Sequence, residues 1–212
     1  MFADMTLAAD ERAAICDEFE KAGPDRPTLC EGWTTRDLLA HLLARERQPW
    51  TGVGMFVPAL AGITEKAMAD YAEMPWADMV ALLRAGAPPW SPFRIPAVDA
   101  FANGGELFVH HEDVRRGEPG WEPRPAEPVR DEELWTSLKR MGRMLFRGAA
   151  PGVVLRRPSG EQYVVTTGSG VVTLVGEPGE LVLYGFGREA VRVEFEGAPA
   201  DVAALKTSKR GL

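Results

Sequence analysis

A short stretch in the middle of the chain, residues 105–116, concentrates side chains that bind metals or move protons. In a helix, Glu106 and His110 are four residues apart and project from one face, and Asp113 follows them onto it. A carboxylate and an imidazole one turn apart supply an oxygen and a nitrogen ligand, which is half of a transition-metal site. A complete site needs at least one further ligand from another element.

The further ligand can come from His41, because the chain has three histidines and His41 is the one outside this stretch. His41 lies mid-helix in a second predicted helix, and a helical bundle commonly builds ligand sites from facing helices. Taken by itself, His41 is more typical of a packed imidazole with one hydrogen bond. Our central hypothesis is that His41, Glu106 and His110 hold a divalent metal. This set is typical of open catalytic zinc sites, whose fourth position takes water or substrate.

The residues beside this ligand set leave alternatives open. Asp113 can hydrogen-bond a ligand imidazole, act as a general base, or pair at the surface with the arginines at 115–116. The pattern alone favours the surface pair. His111 points about 100° away from His110 on a helix, so we expect it to be a partner of Glu112 or solvated.

Three features outside this stretch have both a functional and an ordinary interpretation. Cys30 can be a nucleophile, but no histidine is near it in sequence, so we expect a small buried apolar residue. The segment 168–170, Gly-Ser-Gly, indicates a hairpin turn rather than a phosphate loop. Arg188, after Gly187, is either a surface charge near a helix end or an anion-binding group.

Composition restricts the class of protein. The 212 residues suffice for one large or two small domains, and the net charge of −7 argues against non-specific nucleic-acid binding. No apolar run approaches the roughly 20 residues that span a bilayer. The first five residues are acidic where a signal peptide would be basic, which predicts a cytoplasmic location. In a reducing compartment, Cys16 and Cys30 are expected to be thiols.

The first half of the chain is predicted to be a helical bundle, because apolar side chains recur there with the helical period. Thr34 or Thr35 can cap the second helix, and Pro75 can interrupt the third. The glycines at 104–105 indicate close helix packing. The predicted helices are 7–22, 35–47, 63–85 and 95–116, with 51–62 as a connection.

A linker at 117–129, rich in proline and glycine, precedes a region with a different pattern. Short runs of β-formers separated by glycine predict strands there. The predicted order is helix 131–146, strands 153–157, 162–167 and 171–175, helix 178–187, strand 191–195 and helix 199–205. The predicted fold class is therefore α+β, with a metal-binding helical bundle at 1–120 and a small α+β domain at 121–212.

Two motifs carry a resemblance to a known family. Residues 30–42, Cys-Glu-Gly-Trp-Thr-Thr-Arg-Asp-Leu-Leu-Ala-His-Leu, resemble the start of the second helix in the mycothiol-dependent maleylpyruvate isomerase family. That family is a branch of the DinB-like four-helix bundles. Glu106-x₃-His110-x₂-Asp113 is similar to its second signature, on the fourth helix. Residues 187–205 look like its C-terminal α+β domain.

The resemblance implies that His41, Glu106 and His110 bind a divalent ion, with zinc the expected metal. It also implies a catalytic role for Asp113, and it places Arg188 where the family has an arginine from its second domain. The implied cosubstrate is mycothiol, a low-molecular-weight thiol. Residues 51–91 match nothing in the family and are expected to shape the pocket. The adjacent histidines His110 and His111 and the shorter chain indicate a distinct subgroup, whose substrate need not be maleylpyruvate.

The predicted function is that of a metal-dependent, mycothiol-dependent isomerase or thiol transferase acting on a small electrophile. In this hypothesis, the metal generates a thiolate nucleophile, Asp113 orients His110 or shuttles a proton, and Arg188 holds an anionic group. The expected partners are a small thiol and a small electrophile, with neither nucleic acid nor membrane. One alternative is a metal-dependent hydrolase that uses metal-bound water. Another is a non-catalytic metal-binding or sensing module.

Overall fold

A computed structural model describes residues 6–52 and 61–211 of the chain. They form two compact units that divide between Trp121 and Glu122. The first is helical, and the second combines helices with a four-stranded sheet, which confirms the predicted α+β class. That these units are independently folding domains, predicted as 1–120 and 121–212, stays a prediction. Among the described residues, no helix has the length and apolar character needed to cross a membrane.

Five α-helices form the described part of the first unit, together with two 3-10 turns. The predicted interruption near Pro75 is present, because one helix ends at Ala72 and the next begins at Trp76. Most of the predicted connection at 51–62 lies outside the described residues. The helices are α1 (Leu7–Ala22), α2 (Thr35–Arg47), α3 (Ala61–Ala72), α4 (Trp76–Arg84) and α5 (Pro96–Arg115).

Helix α2, which carries His41, begins at a capping box. The Thr34 backbone N–H donates to Asp37 Oδ2 at 2.8 Å, and the Asp37 backbone N–H donates to Thr34 Oγ1 at 3.4 Å. These two bonds satisfy backbone donors that the first turn leaves without a helical partner. They identify Thr34, of the two predicted candidates, as the cap.

The apolar faces of the helices pack into one core that holds α2 and α5 in place. Gly104 of α5 lies against Leu7 of α1, where an added Cβ would be 3.3 Å from Leu7 Cδ2, in agreement with the predicted close packing. Residues buried in this core include Ile15, Phe19, Leu38, Leu39, Leu42, Leu43, Met79, Leu83 and Leu107. Burial of such side chains contributes about 1.5–3 kcal/mol each to folding.

The second unit contains one mixed sheet and three helices. The strand order is β2-β1-β3-β4, in which β1 is antiparallel to β2 and parallel to β3, and β3 is antiparallel to β4. The elements are α6 (Pro128–Leu145), β1 (Gly152–Arg156), β2 (Gln162–Thr166), β3 (Val171–Val175), α7 (Pro178–Gly185), β4 (Glu194–Glu196) and α8 (Pro199–Thr207).

Two predictions for this unit are wrong. The segment 168–170 is not a hairpin turn, because β3 pairs with β1 rather than with β2, which precedes it. The predicted strand 191–195 is reduced to Glu194–Glu196. One reason is that the Arg192 backbone N–H donates to the Glu180 carboxylate at 2.6 Å, so a side chain supplies its partner.

Candidate metal centre

Helices α2 and α5 bring the three predicted metal ligands together. Glu106 Oε1 lies 3.6 Å from His41 Nε2 and 3.2 Å from His110 Nε2. The two imidazole rings are 5.2 Å apart between centroids, at an interplanar angle of 71°. One ligand atom from each of the three residues lies within 4.8 Å of the other two. The four-residue spacing within α5 and the single histidine of α2 therefore converge as the sequence predicts.

The protein environment favours one protonation state at two of these ligands. Burial lowers the pKa of His41, although a hydrogen bond with Glu106 acts in the other direction. Burial alone would raise the pKa of Glu106, but its hydrogen bonds with His110 and His41 outweigh this and hold the pKa well below its usual range. A neutral imidazole at His41 and a carboxylate at Glu106 are the forms that bind metals.

The two separations from Glu106 Oε1 are close to those around a tetrahedral ion. Bonds of about 2.0–2.2 Å to nitrogen and oxygen put neighbouring ligand atoms about 3.4 Å apart in a tetrahedron. The two distances from Glu106 Oε1, 3.6 and 3.2 Å, lie on either side of that value. Two imidazole nitrogens and one carboxylate oxygen form a set that suits zinc and leaves one position for another ligand.

Asp113 lies on the other side of the His110 ring. Its Oδ2 is 2.9 Å from His110 Nδ1, and its side chain is fully buried. The predicted surface pair with the arginines at 115–116 is therefore wrong: Glu112 pairs with Arg115 at 2.8 Å and with Arg116 at 2.6 Å. A carboxylate that accepts from the second nitrogen of a ligand histidine fixes the orientation of the ring.

Cys30 also faces this side of His110, which the sequence analysis missed. Its thiol donates to Asp113 Oδ2 at 3.2 Å, and Sγ lies 4.0 Å from His110 Nδ1. The prediction of a buried apolar residue is therefore wrong, because Cys30 is half-buried and in contact with polar groups. The sequence held no local signal for this contact, since Cys30 and His110 are 80 residues apart.

The loop that carries Cys30 is fixed on the C-terminal part of α5. The Leu29 backbone N–H donates to the Asp113 carbonyl at 3.0 Å, which puts the next residue beside the Asp113 side chain. Gly117 permits this approach, because a Cβ there would lie 2.0 Å from the Pro27 carbonyl oxygen. The loop ends at Trp33, whose ring lies 5.3 Å from the His41 ring.

Arg45, one turn after His41 on α2, is a second residue that the sequence analysis missed. Its Nε lies 3.6 Å from Glu106 Oε1, so the guanidinium favours the ionised carboxylate. The Ala102 carbonyl accepts from Nη2 at 2.9 Å, and the Asn103 side chain accepts from Nη1. The spacing of four residues from His41 was the available signal, because it puts both side chains on one face of the helix.

The two remaining candidate residues lie elsewhere. His111 is buried, and its Nδ1 lies 2.9 Å from Glu11 Oε2 of α1, so neither predicted environment, a pair with Glu112 or solvent, is correct. Arg188 lies in the second unit, where its Nη1 donates to the Phe186 carbonyl at 2.9 Å. Its anion-binding role stays a prediction.

A partly buried carboxylate and two buried imidazoles on facing helices, in a chain with a second α+β unit, define a candidate metal-binding bundle protein. Residues 5–91, which include His41, match the family model described as the mycothiol maleylpyruvate isomerase N-terminal domain. The match includes residues 51–91, so the expectation that they match nothing in the family is wrong. The resemblance predicted from the sequence is thereby confirmed.

Two solved structures of the mycothiol-dependent maleylpyruvate isomerase are similar to the chain in fold. A structure of a histidine-to-alanine mutant of the mycothiol-dependent maleylpyruvate isomerase is 17% identical to the chain, with a TM-score of 0.61. A second structure of the mycothiol-dependent maleylpyruvate isomerase is 19% identical, with a TM-score of 0.55. Each comparison covers 90% of both chains. The search of curated proteins gives no match.

Proposed function

We propose that the protein is a metalloenzyme that uses a low-molecular-weight thiol, in the first instance mycothiol, to isomerise a small electrophile or to transfer the thiol to it. The observation that carries the proposal is the convergence of His41, Glu106 and His110, two buried histidines and a partly buried glutamate, in one set. The family match and the shared fold support mycothiol as the thiol and isomerisation as the reaction. A cytoplasmic location is part of the proposal.

His41, Glu106 and His110 would hold a divalent ion, with zinc favoured by their two nitrogens and one oxygen. When bound, such an ion lowers the pKa of a thiol at its open position, so that a thiolate nucleophile exists at neutral pH. Thiolate addition to an activated double bond forms a C–S bond and leaves a single bond that can rotate. Elimination then breaks the C–S bond, releases the thiol and leaves the isomerised alkene.

Asp113 has the role of a positioning residue in this proposal. Its buried carboxylate accepts from Nδ1–H of His110, which leaves the lone pair of Nε2 on the side of Glu106 and His41. Arg45 stabilises the charge of Glu106 from 3.6 Å and is itself anchored to α5 through Ala102 and Asn103. The set is therefore pre-arranged by contacts that do not involve a ligand.

Arg188 is proposed to bind an anionic group of the thiol or of the electrophile. Its guanidinium suits a carboxylate, which it can engage through two parallel N–H donors. The Phe186 carbonyl accepts one of its hydrogen bonds at 2.9 Å, and this contact limits the freedom of the side chain. The proposal for Arg188 rests on the resemblance and on the chemistry of arginine.

The test combines metal analysis, thiol binding and activity. Purified wild-type protein is expected to contain zinc, to bind mycothiol in a calorimetric titration, and to isomerise maleylpyruvate only when the thiol is added. His110→Ala is expected to lose all three properties. Asp10→Asn, which changes an exposed aspartate in the first turn of α1, is the control and is expected to keep all three properties.

Each component of the proposal has its own contradicting result. Wild-type protein that binds no metal would exclude the proposed centre. Metal without thiol binding, together with hydrolysis of esters or amides, would identify the hydrolase alternative. Metal and thiol binding without turnover of maleylpyruvate would be compatible with a thiol-dependent enzyme but would exclude maleylpyruvate as its substrate.

A further inference from the structure

The Nδ1 side of His110 carries a second group of potential metal ligands. Cys30 Sγ, Asp113 Oδ2 and His110 Nδ1 enclose a small triangle with sides of 3.2 Å (sulfur to oxygen), 4.0 Å (sulfur to nitrogen) and 2.9 Å (nitrogen to oxygen). The first group meets the same ring at Nε2. The two groups therefore share one residue but use different nitrogen atoms.

The triangle has dimensions that suit a tetrahedral cation. With bonds of about 2.3 Å to sulfur and about 2.0–2.2 Å to nitrogen or oxygen, neighbouring ligands lie about 3.4–3.6 Å apart. The three observed separations lie within about 0.6 Å of those values.

We propose that Cys30, Asp113 and His110 form a second cation site, selective for thiophilic divalent ions such as Zn²⁺, Cd²⁺ and Co²⁺. A thiolate in the ligand set favours these ions over Mg²⁺ and Ca²⁺, which prefer oxygen. A Cys30 thiolate and the Asp113 carboxylate together bring two negative charges, which a divalent cation neutralises. Binding displaces the proton of the Cys30 thiol, and His110 coordinates through Nδ1 as a neutral ring with its proton on Nε2.

The backbone pre-arranges this second site. Leu29 and Asp113 are joined by a backbone hydrogen bond of 3.0 Å, so the Cys30 loop and helix α5 are fixed to each other next to the three ligands. Asp113 is fully buried, whereas Cys30 is partly exposed. The site therefore combines a buried carboxylate with a residue that reaches the surface.

The proposal is independent of the proposed function, because it requires neither a thiol cosubstrate nor the ligands His41 and Glu106. The test is a titration of metal-free protein with Co²⁺ in which the ultraviolet and visible absorption spectrum is recorded after each addition. Thiolate coordination to Co²⁺ gives a near-ultraviolet charge-transfer band, whereas nitrogen and oxygen ligands give only the weak visible bands. The wild type and His41→Ala are both expected to develop the charge-transfer band.

Cys30→Ser is expected to lose the charge-transfer band while it still binds Co²⁺ through the first group. Serine keeps a hydroxyl that can donate to Asp113, so this variant is expected to fold. Asp113→Asn is expected to weaken the binding that produces the band by at least about tenfold. Cys16→Ser is the matched control: Cys16 is buried with Sγ 3.9 Å from the Val80 carbonyl oxygen, and its loss must leave the band unchanged.

Three results would overturn the proposal. The first is the absence of a charge-transfer band in the wild type at saturating Co²⁺. This result would mean that Cys30 and Asp113 form hydrogen bonds in this cluster but do not bind a cation. The band can persist in Cys30→Ser, which would locate the sulfur elsewhere. The band can disappear in His41→Ala, which would mean that the sulfur completes the first site. If only the proposed function is wrong, the wild type will show no thiol binding or no turnover, and His41→Ala will still develop the charge-transfer band.

Discussion

His110 Nδ1 and Asp113 Oδ2 are 2.9 Å apart in the interior of the first unit, and the aspartate side chain is completely buried. This contact connects the proposed metal ligand to a carboxylate one turn further along the same helix. The imidazole is thereby fixed by its own helix, before any ligand binds. Several measurable properties depend on this arrangement.

Asp113→Asn is expected to weaken zinc binding by about 10–100-fold, because the amide is a poorer acceptor for Nδ1–H and the ring loses basicity and orientation. Calorimetric titration with Zn²⁺ measures the change. Asp10→Asn, an exposed aspartate in the first turn of α1, serves as the control and is expected to have the wild-type affinity. Equal affinities in both variants would contradict the positioning role of Asp113.

The metal-free protein is expected to show an opposite pH response at its two ligand histidines. Burial alone would lower the pKa of His110, but its hydrogen bonds with Asp113, Cys30 and Glu106 raise the pKa well above the usual value. A group with a raised pKa stabilises the folded state below its unfolded pKa of about 6.5, and this contribution is lost as the pH rises through the folded pKa. The free-energy cost of His110→Gln is therefore expected to be larger at about pH 6 than at about pH 9.

For His41, burial lowers the pKa, so its contribution to the free energy of unfolding changes with pH in the opposite direction to that of His110. Its contribution is present above the unfolded pKa of about 6.5 and is lost as the pH falls through the folded pKa. The cost of His41→Gln is expected to be smaller at low pH. Urea unfolding in the presence of a chelator, at both pH values, measures both variants. Parallel pH trends in the two variants would be inconsistent with this assignment.

The two cysteines are expected to differ in reactivity. Burial raises the pKa of the Cys16 thiol to about 12, and the residue is inaccessible, so almost no thiolate is available there. Cys30 is partly exposed. Brief treatment of the native protein with iodoacetamide, followed by peptide mass spectrometry, is expected to find modification at Cys30 and none at Cys16. In denaturant both residues must react, and preferential labelling of Cys16 in the native protein would disprove the prediction.

Gly117→Ala is expected to destabilise the first unit by about 1–3 kcal/mol, because the new Cβ would overlap the Pro27 carbonyl group, which must move. The displaced loop carries Cys30, so the rate of Cys30 alkylation is expected to change as well. Gly62→Ala is the matched control, since a Cβ at that helical position meets open space and is expected to be neutral or stabilising. Thermal unfolding of both variants and the wild type measures the change in stability. A Gly117→Ala protein as stable as the wild type would contradict the prediction.

The helices and the ligand set were predictable because their signals are local. Helix α1 has the predicted bounds, and the cap of α2 follows from a threonine three residues before an aspartate. The scarcity of histidine and the spacing of Glu106 and His110 were sufficient to predict a common site. Each of these inferences uses only the period of a helix and the chemistry of the side chains.

The contacts that the sequence analysis missed depend on tertiary packing. Nothing near Cys30 in the sequence indicates that its loop lies on α5, and nothing near His111 indicates that Glu11 of α1 is its partner. The pairing of β3 with β1 was missed for the same reason, because a glycine-rich segment is compatible with both a hairpin and a crossover. The surface position predicted for Asp113 was wrong for the same reason, since only the fold shows that its side chain is buried.

The polar contacts of α5 with its neighbouring helices have a mechanical consequence. Glu106 Oε1 of α5 lies 3.6 Å from His41 Nε2 of α2, and His111 Nδ1 of α5 lies 2.9 Å from Glu11 Oε2 of α1. Helix α5 is therefore held by polar contacts to two different helices. Helix α5 cannot turn about its own axis without breaking one of them, so the angular setting of the proposed ligands is fixed by a residue that does not belong to the site.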